Sequence, residues 1–193
     1  MTPTTAPDIQ QLDAMLDAAV TDAGTLTAGL SPAQGAWRAS GESWSVAECL
    51  DHLATANRVY LAAMMPAAVK ARDDQRWRVG PASPGLIGRW FISTLEPPVR
   101  PRLKGKAPKM ITPRTAPPLA DALAAFLDSQ NEVRRFLSAN ADLDLANVRF
   151  RNPFISVVYF SLATGLHVIA AHERRHLWQA WNVRAASERA AAA

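Results

Sequence analysis

Proline is the residue that most constrains the fold of this chain, because ten of its 14 prolines lie between residues 66 and 118. Proline lacks a backbone donor and clashes with the preceding turn of a helix, so a segment this rich in proline should form no long regular element. One short apolar run within it, GLIGRWFISTL, is a candidate for a short helix. The prolines therefore divide the chain into regular segments before residue 66 and after residue 118, joined by a long crossover.

Apolar residues at three- and four-residue spacing predict four long helices on the two sides of this crossover. Their predicted bounds are about 8–30, 46–65, 119–139 and 155–182, and the crossover is 66–118. The second helix should begin at a capping box formed by Ser45 and Glu48 and end near Pro66, whereas Asn152-Pro153 marks the earliest start of the fourth. No segment shows sustained alternation of apolar and polar residues. The prediction is an all-α protein, a four-helix bundle folded as a single domain over 1–193.

The composition, with 49% hydrophobic and 20% charged residues, is sufficient for a buried core. Cys49 is the single cysteine, so no intrachain disulfide can form, and a cytoplasmic location is expected. No membrane span is expected either, because the most apolar window, 59–69, is interrupted by Pro66 and is shorter than the roughly 20 residues that a span requires.

Basic residues are concentrated in the crossover, since residues 66–118 contain 11 of the 21 lysines and arginines but 3 of the 17 acidic residues. An anionic partner could use this charge, but a solvated connection is the more ordinary explanation. Nucleic acid is not the expected partner, because the six tryptophans are not interleaved with basic residues on one predicted face. They should instead pack in the core and at interfaces, with Trp178 and Trp181 at the seam of a homodimer.

The sequence HERRH at 172–176 is the strongest chemical signal in the chain. At about 100° per residue, His172 and His176 lie about 40° apart around a helix, so both imidazoles can reach one cation. Zinc, nickel, iron and copper all accept imidazole ligands. His167 lies about 140° from His172 and should not join the pair. A third ligand must come from another helix, and His52, near the start of the second helix, can supply it if the two helices are neighbours.

HERRH also fits the HExxH signature of zinc proteases, which requires Glu173 as general base and a third ligand further along the chain. The residues after His176 contain no such ligand motif, and the two arginines favour an exposed helix face. The protease is therefore a remote alternative, and Glu173 is expected at the surface or in a salt bridge.

Several further side chains are candidates for the surroundings of the site. Glu48 or Asp51 could orient His52 as an outer partner. Ser161 and Gln179 lie on the same predicted helix face as the histidine pair and could form hydrogen bonds in a pocket. Cys49, one turn before His52, is expected to pack in the core rather than react.

The motifs WSVAECLDHL at 44–53 and HERRHLWQA at 172–180 resemble the two ends of DinB-like proteins, and the resemblance covers nearly the whole chain. It implies an up-down-down-up four-helix bundle, often dimeric, with a divalent metal held by one histidine of the second helix and an H-x-x-x-H pair of the fourth. By position these ligands are His52, His172 and His176. Relatives in this family include transferases and isomerases that use a low-molecular-weight thiol such as bacillithiol, mycothiol or glutathione.

The resulting functional hypothesis is a divalent-metal protein, with zinc, nickel or iron as the ion, that acts on a small molecule as a thiol S-transferase or a hydrolase. A structural or interaction domain without turnover is the alternative from a different class. The protein would then hold metal or lack it, but would catalyse nothing.

Overall fold

The computed structural model describes residues 6–98 and 108–192, so part of the predicted crossover, 99–107, lies outside the described residues. Within them the chain is mostly helical, as predicted. The helices are α1 (Pro7–Thr27), α2 (Pro32–Ala36), α3 (Val46–Asp73), α4 (Leu86–Leu95), α5 (Leu119–Ala139) and α6 (Leu162–Ala191), with a 3-10 turn at Lys109–Ile111. Two short strands, β1 (Arg149–Arg151) and β2 (Tyr159–Ser161), pair antiparallel.

The start of α3 forms as the sequence predicts. The Ser45 side chain accepts a hydrogen bond from the Glu48 backbone N–H, and the Glu48 carboxylate accepts one from the Ser45 N–H. This reciprocal cap satisfies two backbone donors that the first helical turn leaves unpaired. It therefore fixes the beginning of the helix that carries His52.

The predicted end of this helix at Pro66 is wrong, because α3 continues through Pro66 to Asp73. A proline inside a helix removes one backbone hydrogen bond, but burial of the following turns can offset that loss. Ala68 and Ala71 are buried in the core, and Arg72 pairs with Asp142 at 2.9 Å. Tertiary packing thus overrides the local signal.

The predicted start of the last helix is also wrong, since α6 begins at Leu162 and extends beyond 182 to Ala191. The Asn152 side chain caps a turn by accepting hydrogen bonds from the N–H groups of Phe154 and Ile155, and the chain then forms β2. Strands of three residues are too short to give a readable alternation. At the other end, Arg184 donates to the carbonyls of α1 and pairs with Glu188, which extends the helix.

Helix α3 packs against both α5 and α6, and α1 packs against α5 and α6 on the other side. Arg58 and Arg72 of α3 contact Glu132 and Ala139 of α5 in the same chain order, so α3 and α5 run in the same direction. In contrast, α3 and α6 run in opposite directions. Helix α4, the short helix predicted within the crossover, lies on α6, where Gly88 allows an approach that a Cβ, 2.6 Å from Thr164 Oγ1, would block.

The buried apolar residues form two clusters, one toward each end of the long helices. The first contains residues 60–71 of α3 and 162–170 of α6, and the second contains 46–54 of α3 and 177–183 of α6. The α3 and α6 segments between these clusters carry buried polar side chains, including Asn57, Glu173 and His176. The polar chemistry of this protein is therefore concentrated in the middle of the bundle.

Candidate metal centre

Three histidines from α3 and α6 meet where this middle region borders the second apolar cluster. His52, His172 and His176 each offer a ring nitrogen, and these nitrogens all lie within 4.8 Å of one another. The Nε2 atoms of His52 and His172 are 3.2 Å apart. His52 is 1% exposed, His176 is 9% exposed and His172 is partly exposed, so the cluster is more open at the α6 pair than at His52. The structure thus brings together the three residues that the sequence selected.

Helix geometry and one aromatic ring place these side chains. His172 and His176 are one turn apart on α6, and their ring centroids are 4.6 Å apart. The Trp44 ring, just before α3, packs against His52 at 4.7 Å and His176 at 5.6 Å between centroids. This large apolar side chain restricts the imidazole rotamers, and the sequence alone did not predict that role.

Hydrogen bonds indicate which nitrogen of His52 and of His176 can bind a cation. The Ile111 carbonyl can only accept, so His52 Nδ1, at 2.6 Å, carries the proton and leaves Nε2 with a lone pair. His176 Nδ1 lies 3.0 Å from Gln179 Oε1, which fixes that ring in the same way. Metal-binding histidines in proteins typically have such a partner on the second ring nitrogen.

The Ile111 carbonyl is held in place by an ion pair. Asp51 Oδ2 accepts a hydrogen bond from the Arg114 backbone N–H at 2.8 Å, and Oδ1 accepts one from Arg114 Nε at 2.7 Å. Asp51 therefore contacts the segment that follows the 3-10 turn, and it affects the His52 ring itself through its charge. A backbone carbonyl 59 residues from its partner leaves no pattern in the sequence, so only the tertiary structure shows it.

The electrostatic environment keeps the three imidazoles neutral. Burial, together with the neighbouring His52 and Arg175, lowers the pKa of His172 to about 3. Burial also lowers the pKa of His52, opposed by the Ile111 bond and Asp51, and it lowers the pKa of His176 well below the usual value. Only a neutral imidazole has a lone pair for a metal, so all three rings are in the ligand state at neutral pH.

The geometry fits a divalent cation. In a tetrahedral zinc site with Zn–N bonds of about 2.0–2.1 Å, two nitrogen ligands are about 3.3–3.4 Å apart. The observed 3.2 Å between the Nε2 atoms of His52 and His172 is close to that edge. Two lone pairs at this distance repel each other unless a proton or a cation lies between them. The donor set can therefore hold a metal with at least one position left for another ligand.

The other predicted site residues lie in different places. Glu48 pairs with Arg38 and caps α3, so it serves the helix start and not His52 directly. Ser161 caps α6 by accepting from Thr164 N–H at 3.1 Å, and its position 11 residues before His172 puts it about 16 Å away along the helix axis. Gln179 reaches the cluster through its bond to His176. The structure thus brings Gln179 to the histidines and does not bring Ser161.

The prediction for Glu173 is wrong, because this residue is 0% exposed. Its Oε1 accepts a hydrogen bond from Asn57 Nδ2 at 2.9 Å, and burial raises its pKa to about 8. The carboxyl group is hydrogen-bonded in the core between α3 and α6, whereas the protease alternative requires it to act as general base on a metal-bound water. The two arginines that follow suggested an exposed face, but helical rotation turns Glu173 inward.

Cys49 and His167 have the structural roles that the sequence favours. Cys49 is 0% exposed, and burial raises the pKa of its thiol far above the usual value. His167 hydrogen-bonds the backbone of Ala82, and burial lowers its pKa.

The two tryptophans of α6 differ in their surroundings. Trp181 Nε1 donates to Asp22 at 2.8 Å and so connects α6 to α1, while Trp178 is 38% exposed.

The chain matches the DinB superfamily over residues 15–180, a range that includes all three histidines. The chain belongs to the DinB superfamily. A search of curated proteins and of solved structures found no match to this DinB protein. Among residues 6–98 and 108–192, no helix combines the length and the apolarity needed to cross a membrane.

Proposed function

We propose that this DinB protein binds one divalent metal ion through His52, His172 and His176 and uses it to act on a small molecule. The convergence of three neutral imidazoles, with two Nε2 atoms 3.2 Å apart, carries the proposal. Zinc, nickel and iron suit this donor set. A divalent cation in such a site lowers the pKa of a thiol or water molecule that it binds.

The residues of the chain would divide the work of such a site. The Ile111 carbonyl and the Gln179 amide orient the rings of His52 and His176, and Trp44 excludes water from one side. The partly exposed side of His172 is where a substrate would approach. A thiol S-transferase and a hydrolase are both consistent with these roles, because each requires an activated nucleophile at the open position.

The position of Arg175 favours a substrate that carries an anionic group, such as a thiol with a carboxylate. It lies three residues after His172 on α6, a spacing that places two side chains next to each other on a helix surface. Its positive charge lowers the pKa of both His172 and His176. The same charge disfavours a bound cation, and an anion bridging the two would relieve that repulsion. Exchange of Arg175 for methionine should then raise KM more than it lowers kcat.

The proposed topology is the up-down-down-up arrangement of the family, with the long connection 74–118 joining α3 to α5. The common direction of α3 and α5 and the opposite direction of α6 support it.

We also propose a homodimer that uses the exposed Trp178 of α6. Light scattering of wild type and of Trp178→Ser should give a dimer and a monomer, and equal masses would contradict this seam.

Metal analysis of protein purified without an affinity tag tests the main proposal. We expect about one equivalent of a single divalent metal in the wild type, and its loss in His52→Ala, His172→Ala and His176→Ala, because each variant removes one of three protein ligands. His167→Ala is the matched control, since this histidine lies on α6 outside the cluster. No metal in the wild type after reconstitution with zinc, nickel or iron, or equal loss in the control, would reject the site.

Activity is tested separately with electrophiles and several low-molecular-weight thiols, and with ester substrates for hydrolysis. Turnover that disappears in the histidine variants and returns when metal is restored to the stripped wild type supports an enzyme. Bound metal without turnover on any substrate would favour the structural or interaction domain.

A further inference from the structure

A layer of buried polar side chains crosses the bundle between its two apolar clusters. Asn57 of α3, Ser129 and Gln130 of α5 and Glu173 of α6 are each at most 1% exposed. Asn57 Nδ2 donates to Glu173 Oε1 at 2.9 Å and to Ser129 Oγ at 3.1 Å. Three helices are therefore connected at one level by directional contacts.

This layer does not help stability as an apolar layer would. Among the described residues, Glu173 Oε2 and both amide atoms of Gln130 are buried without a partner in hydrogen-bonding geometry, although Gln130 is close enough to lower the pKa of Glu173. Unsatisfied buried polar atoms destabilise a fold, and well-packed apolar replacements of buried polar groups are frequently neutral or stabilising. The layer should therefore contribute something other than stability.

The apolar surfaces on either side hold α6 by contacts that have no preferred direction. Its buried face alternates small residues such as Ala163 and Ala170 with larger ones such as Leu166, Ile169 and Leu177. Apolar packing is non-directional, whereas a buried hydrogen bond between helices fixes their register. The Asn57–Glu173 bond is the directional contact nearest the histidines between α3 and α6.

The chain places this bond next to the metal ligands. Glu173 follows His172 directly and precedes His176 by three residues, while Asn57 lies five residues, or about 7.5 Å along the axis, after His52. A slide or rotation of α6 against α3 would move both its histidines away from His52. The same movement would break the 2.9 Å bond between Asn57 and Glu173, so this bond and the convergence of the three histidines depend on the same helix register.

We propose that Asn57 and Glu173 are positioning residues that fix the register of α6 against α3, so that His52 meets His172 and His176 at metal-binding distance. This inference rests on the proposed metal site. It assigns the buried polar layer to the geometry of that site, and it predicts that metal affinity and stability respond differently when the layer becomes apolar.

The first test compares Glu173→Met with Glu173→Gln in the full chain. Methionine keeps the length of the side chain but cannot accept the Asn57 bond, whereas glutamine keeps an acceptor. By titration with Co²⁺, we expect Glu173→Met to bind at least about tenfold more weakly, the lower range for lost outer partners of a metal site. Its resistance to urea with chelator present should be equal to or higher than that of the wild type. Glu173→Gln should bind within about twofold of the wild type, the scatter of independent sites.

A variant of the second partner and a stability control sharpen this test. Asn57→Leu removes the Nδ2 donor whichever protonation state Glu173 has, and it should weaken Co²⁺ binding as Glu173→Met does. Val133→Ala shortens a 0% exposed side chain of α5 one turn after Gln130. It should lower resistance to urea and leave the Co²⁺ affinity within about twofold.

The result that overturns the proposal is a folded Glu173→Met protein with wild-type Co²⁺ affinity. If the wild type itself binds no Co²⁺, the metal site fails, and crystal structures then test positioning alone. We expect the His52 Nε2 to His172 Nε2 distance to increase from 3.2 Å in Glu173→Met and to stay unchanged in Glu173→Gln. An unchanged distance in both variants would reject the positioning role.

Discussion

Exchange of Gly165 for alanine should destabilise this DinB protein, although alanine is the better helix former. Gly165 lies in α6 where that helix meets α3 and β1. A Cβ there would be 2.8 Å from Met64 Sδ and 2.9 Å from the Phe150 ring, which is closer than atoms in real structures approach. Met64 is 0% exposed and Phe150 is 3% exposed, so neither side chain has space to withdraw.

The size of this effect follows from two opposing terms. Alanine in place of glycine inside a helix contributes about 0.5–1 kcal/mol. Overpacking of a filled core costs about 1–3 kcal/mol. The net expectation for Gly165→Ala is a loss of up to about 2.5 kcal/mol in the free energy of unfolding, with a central value of about 1 kcal/mol.

Gly24→Ala is the matched control, because Gly24 also lies within a helix, α1, and a Cβ there would meet nothing within 4 Å. This variant should gain up to about 1 kcal/mol. Urea denaturation followed by circular dichroism, with chelator present, measures both. Equal signs for the two exchanges would refute the argument that contact with Met64 and Phe150 decides the outcome at Gly165.

Three further predictions concern single side chains near the site. Asp51→Asn should weaken metal binding by about tenfold or more, because it loosens the Arg114 segment next to Ile111, whose carbonyl contacts His52. Calorimetry compares it with Asp74→Asn, an exposed control just after α3, and equal metal affinities would contradict the prediction. Cys49 should not react with a thiol reagent in the native protein, since it is 0% exposed, and labelling at the rate of the urea-unfolded chain would show the burial to be wrong. Glu173 has a folded pKa of about 8 against 4.5, so the folded protein holds a proton that the unfolded chain releases between these values, and stability falls as pH rises. The side chain in Glu173→Gln cannot titrate. The free energy of unfolding of this variant relative to the wild type, measured in urea with chelator, should therefore rise by about 2–3 kcal/mol from pH 5 to pH 7. A difference independent of pH would exclude the raised pKa.

The predictions from sequence succeed where the signal is local. The capping box of Ser45 and Glu48 and the turn spacing of His172 and His176 depend on residues three or four apart, and each forms as predicted. They fail where a distant contact overrides a local preference. Pro66 does not end α3, because Ala68 and Ala71 are buried against other elements.

The site shows the same division. The family resemblance and the helical spacing together selected His52, His172 and His176, and these three residues do converge. The sequence did not predict the hydrogen bond from His52 to the Ile111 carbonyl, the packing of Trp44 on the histidines or the inward orientation of Glu173. Asn57 and Gln130 are buried in the bundle, but nothing in either sequence position indicates that they share one layer with Glu173.

The sequence by itself determined which segments form helices and which residue types face inward, because helical periodicity and capping act within a few residues. It also determined the donor chemistry, since three imidazoles from two motifs can be read directly. The tertiary structure alone decided the register of α6 against α3, and with it the tautomers, the low pKa values of the histidines and the buried state of Glu173. These properties depend on distances between atoms far apart in the chain, and such distances are set only when the helices pack.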